Sequence, residues 1–308
     1  MVNLLLFPGQ GAQKVGMGKD LADAFPAARD TFGAIDEALD APLSRIMWEG
    51  PEDVLQQTHN TQPAILAHSA AVLSLVGDRI APAAGAAGHS LGEYSAYVAA
   101  GALSAVEGAR LVRRRGELMH EAGTARQGAM AAVLGLGTRA VQEACASASS
   151  EGEVVVAANL NAPDQTVLSG DPGAVARAGE ACKAAGARRV LPLKVSGAFH
   201  SPLMAPAADG LVRALREADF RDPAFPVVSN AEAEPVRSAG EARRLLGAQL
   251  TAPVRWVECV EALATLAPGA RFVEIGPGTV LGGLLKRILP EAGYCSLATA
   301  SDVERFLS

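Results

Sequence analysis

The stretch Gly88-His89-Ser90-Leu91-Gly92-Glu93 has the residue types and spacing of a nucleophile elbow, which makes Ser90 a candidate for covalent chemistry. In a G-x-S-x-G turn the serine stands on a sharp corner between a strand and a helix, where a side chain two residues to either side collides with backbone. Gly88 and Gly92 remove those collisions. The flanks agree: the small residues Ala83 to Ala87 suit a tightly packed strand, and Leu91 to Ala100 carry helix-compatible apolar spacing. Ser90 then lies at a helix N-terminus, where free backbone N–H groups favour developing negative charge. The N–H of Leu91, the residue after the nucleophile, is the expected first donor to an oxyanion. In a chain with 32 glycines the pentapeptide alone also fits an ordinary glycine-rich turn capped by a serine.

A serine hydroxyl is a weak nucleophile and needs a base within hydrogen-bond reach. Of the five histidines, His59, His68 and His120 lie in helix-like or loop context with no partner signal and read as packing or surface residues. His89 adjoins Ser90, but successive side chains on such a turn diverge, so it supports the elbow rather than activating it. His200 follows a strand-like run and precedes Ser201-Pro202, a cap and first helical residue, at a loop end where catalytic side chains concentrate. It is the candidate base. A hydrolase triad adds an acid between serine and histidine in the chain. Asp164 and Asp171 are the acids near turns there, and neither has a context that singles it out.

Arg115 extends the chemistry. In the helix-like stretch Val106 to Met119, Arg113 falls near Ala109 and Glu117, on a solvated face with an i,i+4 pair. Arg115 instead has Leu111, Val112, Leu118 and Met119 as its i±3 and i±4 neighbours and so projects from the apolar stripe. A buried, unpaired guanidinium costs several kcal/mol, so it needs an anion. Glu93 is one internal candidate.

The elements that must position these residues alternate between strand-like and helix-like segments, the pattern of an α/β protein with a mostly parallel central sheet. Asn3 to Phe7 runs straight into Pro8-Gly9-Gln10-Gly11, and Arg271 to Ile275 runs into Gly276-Pro277-Gly278 ahead of a helix from Thr279 to Leu289. Glycines at 276, 278 and 282 miss the dinucleotide spacing G-x-G-x-x-G by one residue, so the second turn reads as a packing turn. Between 126 and 195 the order is strand (Ala129 to Leu136), helix (Thr138 to Ala148), strand (Val154 to Asn159), strand (Gln165 to Ser169), helix (Gly173 to Ala185), strand (Arg188 to Lys194). That βαββαβ order resembles a small ferredoxin-like unit inserted into a larger domain formed by 1–125 and 196–308.

Composition bounds the function. The 308 residues are 49% hydrophobic, 19% charged and only 4% aromatic, enough for a large core of Ala, Val and Leu. A formal net charge of −6 argues against nonspecific nucleic-acid binding. Cys145, Cys182, Cys259 and Cys295 show no C-x-x-C spacing and read as core residues of a reducing compartment, neither a disulfide framework nor a metal site. The apolar run Val2 to Phe7 has no basic flank and is too short for a signal peptide or a membrane span, so a cytoplasmic protein is expected.

Taken in order, Phe7-Pro8-Gly9-Gln10-Gly11, Gly88 to Glu93, Arg115-Gly116, Asn161-Ala162-Pro163, Val195 to Pro202, Gln249-Leu250 and Glu274 to Gly278 closely resemble the malonyl-CoA:acyl carrier protein transacylases and related freestanding acyltransferases of polyketide assembly, over essentially the whole chain. The resemblance implies a large α/β-hydrolase-like domain carrying a ferredoxin-like one, with the active site in the gorge between them. It implies a Ser90–His200 dyad whose histidine is oriented by a carbonyl at Gln249, although Gln249 by its own position reads as a solvent-facing helix residue. It also implies a second oxyanion donor in the N–H of Gln10 and a malonyl carboxylate gripped by Arg115. Phe199 beside the base would crowd a branched acyl chain. The reaction so implied is ping-pong transfer of malonyl from malonyl-CoA to the phosphopantetheine thiol of an acyl carrier protein, by a monomer without metal or redox cofactor. Arg188, Arg189, Lys286 and Arg287 are candidate contributors to a basic rim for an acidic carrier.

A polyketide enzyme for another extender unit, an esterase or thioesterase, and a noncatalytic carrier-binding module stand as the alternatives. Arg115→Ala is expected to weaken malonyl transfer strongly relative to acetyl transfer when both thioesters are assayed side by side. An equal loss for the two acyl groups would remove Arg115 from carboxylate recognition.

Overall fold

The computed structural model describes residues 2–308. Ten strands form two sheets: β1 (Asn3–Phe7), β2 (Ala83–Gly88), β3 (Ala129–Leu134), β4 (Val155–Ala162), β5 (Gln165–Gly170), β6 (Arg189–Pro192), β7 (Val227–Val228), β8 (Pro235–Val236), β9 (Arg271–Ile275) and β10 (Tyr294–Leu297). The larger sheet has the order β10-β9-β1-β2-β7-β8. All its pairings are parallel except β7 with β8. The smaller sheet, β4-β5-β3-β6, is antiparallel throughout, and helices Thr138–Ala148 and Pro172–Ala184 complete the strand-helix-strand-strand-helix-strand order expected there.

The core explains why β1 is apolar at every position. Side chains alternate across a strand, so Leu5 and Phe7 enter one core cluster while Leu4 and Leu6 enter another on the opposite face. A parallel sheet covered on both sides needs both faces apolar. Helices Thr58–Ile80 and Ala105–Ala125 pack into the first cluster, and Trp256–Leu266 and Val280–Ile288 into the second. A third cluster lies beneath the small sheet, with Val133, Leu168 and the buried Cys145 and Cys182. The small sheet is stitched to the segment ahead of helix Trp256–Leu266 where Leu160 N–H donates to Val254 O at 2.9 Å and Val254 N–H to Ala158 O at 2.8 Å.

Register does the positioning. Parallel pairing of β1 with β2 sets Phe7 beside Gly88, so the turns that follow, Pro8-Gly9-Gln10 and His89-Ser90, emerge side by side at the C-terminal edge of the sheet. The strand on the other side of β2 is β7, which Ser229 and Asn230 directly follow. Three adjacent strand ends therefore deliver Gln10, Ser90 and Asn230 to one place, the edge where open α/β sheets bind ligands.

The elbow closes only because two positions lack a side chain. A Cβ at Gly88 would lie 1.9 Å from the carbonyl of Gly92, and one at Gly92 would lie 2.2 Å from Phe7 O. The Gly276 turn is a packing turn as expected, with Pro8 and the Ser69 hydroxyl filling the place of a side chain. Strand and helix boundaries fall within three residues of the expected ones in the small sheet, and no helix among the described residues is long and apolar enough to cross a membrane. Gly92→Ala is expected to cost at least about 3 kcal/mol in a urea or thermal unfolding measurement, because its backbone neighbours cannot yield. Gly33→Ala, in helix Pro26–Leu39 with open space around it, serves as the contrast and should be neutral or stabilising by up to about 1 kcal/mol.

Candidate active site

Ser90 adopts φ 55, the left-handed conformation that a non-glycine residue occupies only at some cost. Asn230 holds it there. Its Oδ1 accepts the Ser90 N–H at 2.8 Å and its Nδ2 donates to Gly88 O at 2.8 Å, clamping both sides of the corner. The His89 N–H continues the sheet register by donating to Phe7 O at 2.9 Å. The His89 ring turns away from the serine, with Nε2 2.8 Å from Asn161 Oδ1 and the ring tilted against Trp256, so His89 supports the elbow as its position implied.

The Ser90 hydroxyl donates to His200 Nε2 at 2.7 Å. On the far side of the ring, Nδ1–H donates to the backbone carbonyl of Gln249 at 3.0 Å. Gln249 is the last residue of helix Ala239–Gln249, and the final carbonyls of a helix have no intrahelical partner. A carbonyl can only accept, so it fixes the proton on Nδ1 and leaves the Nε2 lone pair facing the serine. Burial, followed by the neighbouring charge of Arg115, pulls the His200 pKa down to about 3, so the ring is a neutral base at physiological pH. Neither candidate acid stands behind it: Asp164 pairs with Arg287, and Asp171 pairs with Arg126 and accepts from Val154 N.

Arg115 lies on the apolar stripe of helix Ala105–Ala125, as its neighbours dictate, and is only 1% exposed. Nη1 donates to Gln62 Oε1 at 2.7 Å, and Nη2 donates to Gln249 Oε1 at 3.0 Å and to Ser90 Oγ at 3.1 Å. Glu93, the internal ion-pair candidate, does not bind it directly. Its carboxylate accepts from Gln249 Nε2 at 2.7 Å and from Asn230 N at 3.0 Å. The guanidinium is thus held by neutral oxygens, with no carboxylate among the described residues within ion-pair distance. Two expectations need correction. Arg113 does not pair with Glu117, because Asn60 from a neighbouring helix takes its guanidinium at 2.7 Å while Glu117 pairs with Arg114. Gln249 is not solvent-facing by any part: it is fully buried, since its helix ends against the elbow.

These groups surround a cavity of about 180 Å³ between the two sheets. Ser90, Leu91, Gln10, Arg115, Phe199 and His200 line it from the large-sheet side. Met130, Asn159 and Val167 line it from the small sheet. The backbone N–H groups of Gln10 and Leu91 have no acceptor among the described residues, so both are available to an oxygen in the cavity. The arrangement can take a proton from Ser90, stabilise an oxyanion with two main-chain donors, and hold an anionic group beside the nucleophile. Among the described residues no cluster of His, Cys, Asp or Glu is arranged to hold a metal. Of the rim candidates, Arg188, Arg189 and Lys286 are exposed, while Arg287 is engaged by Asp164 and Gln165.

Sequence reasoning did not find Gln62 or Asn230. Gln62 lies 53 residues from Arg115 with nothing local to mark it. Asn230 carried one weak signal, a polar residue at the end of an apolar strand.

The acyl transferase domain family matches residues 4–304 of this chain. A malonyl CoA-acyl carrier protein transacylase of Bacillus subtilis is 46% identical over 284 residues, covering 92% of this chain and 89% of that protein. The crystal structure of an acyl carrier protein S-malonyltransferase from Vibrio cholerae superimposes with a TM-score of 0.94 at 41% identity, covering 98% of this chain and 99% of that one. A malonyl-transacylase solved in complex with its type II PKS acyl-carrier protein also gives 0.94, at 42% identity over 100% of this chain and 99% of that one. With an elbow serine hydrogen-bonded to a histidine and two free main-chain donors around one cavity, and with this likeness along nearly its whole length, the chain belongs to the acyl transferase domain family.

Proposed function

We propose that the protein is a malonyl-CoA:acyl carrier protein S-malonyltransferase. The observation that carries this reading is Arg115, a buried cation 3.1 Å from the nucleophile with no carboxylate of its own to pair with. An acyl group that ends in a carboxylate supplies the missing charge and, through a bidentate pair, its own orientation. The names of the relatives in both sequence and structure point the same way.

In the first half-reaction His200 Nε2 takes the Ser90 proton as Oγ attacks the thioester carbon. The N–H groups of Gln10 and Leu91 receive the oxyanion. Collapse of the tetrahedral intermediate breaks the carbon–sulfur bond, and the coenzyme A thiolate leaves with the proton from His200. In the second half the phosphopantetheine thiol gives its proton to His200 and attacks the malonyl ester; collapse of that intermediate breaks the bond between the acyl carbon and Ser90 Oγ, and His200 returns the proton to Oγ. The arriving carboxylate also neutralises Arg115, which removes one of the causes that hold the His200 pKa down, so the substrate strengthens its own base. A neutral carbonyl behind the histidine suffices, because a thioester asks less of the base than an amide. Phe199, on the cavity wall beside the base, disfavours a branched acyl chain. The reaction calls for no metal or redox cofactor.

The finer architecture follows the same reading. Residues 1–125 and 196–308 form an α/β-hydrolase-like catalytic domain, and 126–195 form a ferredoxin-like one that closes the cavity from above. The strand order β4-β5-β3-β6 supports the second assignment. The carrier protein docks at the cavity mouth, the side from which its phosphopantetheine thiol can reach Ser90; a related malonyl-transacylase has been solved in complex with its acyl-carrier protein, and the exposed Arg188, Arg189 and Lys286 suit an acidic partner. The protein acts as a cytoplasmic monomer.

Intact-protein mass spectrometry after brief exposure to malonyl-CoA is expected to show a malonyl adduct that is absent in Ser90→Ala and is discharged by phosphopantetheinylated carrier protein. Steady release of free coenzyme A without an adduct would instead identify a hydrolase. For the base, nitrogen NMR of the imidazoles is expected to show His200 as the neutral Nδ1–H tautomer throughout about pH 5 to 8, since a base whose pKa lies near 3 gains its proton only well below that range. A midpoint near the ordinary value of about 6.5 would show a solvated ring and contradict the buried dyad.

A further inference from the structure

Glu93 is fully buried directly after the elbow, yet no step of the mechanism uses it. Its Oε2 accepts from Gln249 Nε2 at 2.7 Å and from Asn230 N at 3.0 Å, while Oε1 is buried without a partner. Gln249 Nε2 also donates to Ser90 O at 2.9 Å, and Gln249 Oε1 accepts from Arg115 Nη2 at 3.0 Å. A continuous line therefore runs from guanidinium through the Gln249 amide to the carboxylate. Glu93 Oε2, already receiving Asn230 N, and Ser90 O can only accept there and a guanidinium donates only, so together they fix which way the amide points, with Glu93 making the shortest of these contacts. Gln249 serves the base differently: it holds His200 through its backbone carbonyl, which does not depend on where its side chain points.

We propose that Glu93 is a positioning residue for acyl selection, pinning the Gln249 side chain so that Arg115 is aimed at the carboxylate end of the acyl group beside Ser90. The inference rests on the malonyl-transfer reading above. Burial pushes the Glu93 pKa up to about 7, opposed by its hydrogen bonds and by Arg115, and because both donors meet Oε2 while Oε1 has no partner, Oε2 keeps its acceptor role in either protonation state. An acetyl group has no carboxylate to offer Arg115, so acetyl transfer reports the state of the elbow and dyad alone.

The test measures Ser90 acylation rates with malonyl-CoA and with acetyl-CoA in the full chain, for the native protein, Glu93→Ala and Glu93→Gln. Glu93→Ala is expected to reduce the malonyl-to-acetyl rate ratio by at least about tenfold, the scale of a lost hydrogen bond to a charged group. Glu93→Gln keeps an acceptor for Gln249 Nε2 and should restore most of that ratio. If Glu93→Ala slows both thioesters equally, or neither, Glu93 acts on the fold alone and the proposal fails. Should Glu93→Ala not fold, Glu93→Asp withdraws the acceptor by one methylene and carries the same two outcomes. A native protein that does not prefer malonyl over acetyl overturns the malonyl-transfer reading itself, and this inference with it.

Discussion

A guanidinium sealed inside the protein without an anion is the constraint around which the rest of the site is arranged. Leaving Arg115 there costs several kcal/mol of desolvation even after relaxation, and the fold recovers only part of it with two glutamine oxygens and a serine hydroxyl. A structural carboxylate in direct contact would have been the stronger stabiliser of the resting protein. It would also have occupied the donors that an acidic acyl group needs. The nearest carboxylate, Glu93, is kept one amide away. On the proposed reading of Arg115, stability of the empty protein is traded for affinity toward a charged acyl group, a common pattern at functional sites.

The elbow imposes a second, purely steric condition. Ser90 faces the cavity in a left-handed conformation, held by Asn230, which ties Ser90 N to Gly88 O across the corner. Asn230 reaches this place only if β7 lies beside β2, just as Gln10 does only if β1 lies on the other side. The parallel order β1-β2-β7 is therefore a requirement of the chemistry as much as of the core. The small sheet contributes no reacting group. Its Met130 and Val167 form the opposite wall and keep the cavity apolar, which strengthens every electrostatic contact inside it.

What could be read from the sequence follows from the distance over which each interaction acts. The elbow, the strand ends and the buried face of helix Ala105–Ala125 are local patterns, and Ser90, Leu91 and Arg115 were visible in them. His200 stood out by its loop-end position, and Gln10 and Gln249 entered only through family resemblance. The errors came where a distant residue outbid a local one: Asn60 takes Arg113 from its i+4 neighbour, and the elbow covers a glutamine that periodicity alone puts in solvent. Gln62 and Asn230 were not legible because their partners lie 53 and 140 residues away and nothing in their own segments records it. Folding supplies that information through register.

Gln249 shows why a neutral third partner is compatible with this site. A carboxylate behind His200 would raise its basicity and stabilise the imidazolium, but it would also stand close to Arg115 and compete with the substrate for it. A helix-terminal carbonyl orients the ring equally well and carries only the partial negative charge of the helix end. The same residue can then present its side-chain oxygen to Arg115 and its side-chain nitrogen to Glu93 and Ser90 O. One residue thus couples the base to the anion-binding group without placing a formal charge between them. In the proposed transfer, that separation leaves the charge of the acyl group, and not one built into the protein, to set the electrostatics around His200.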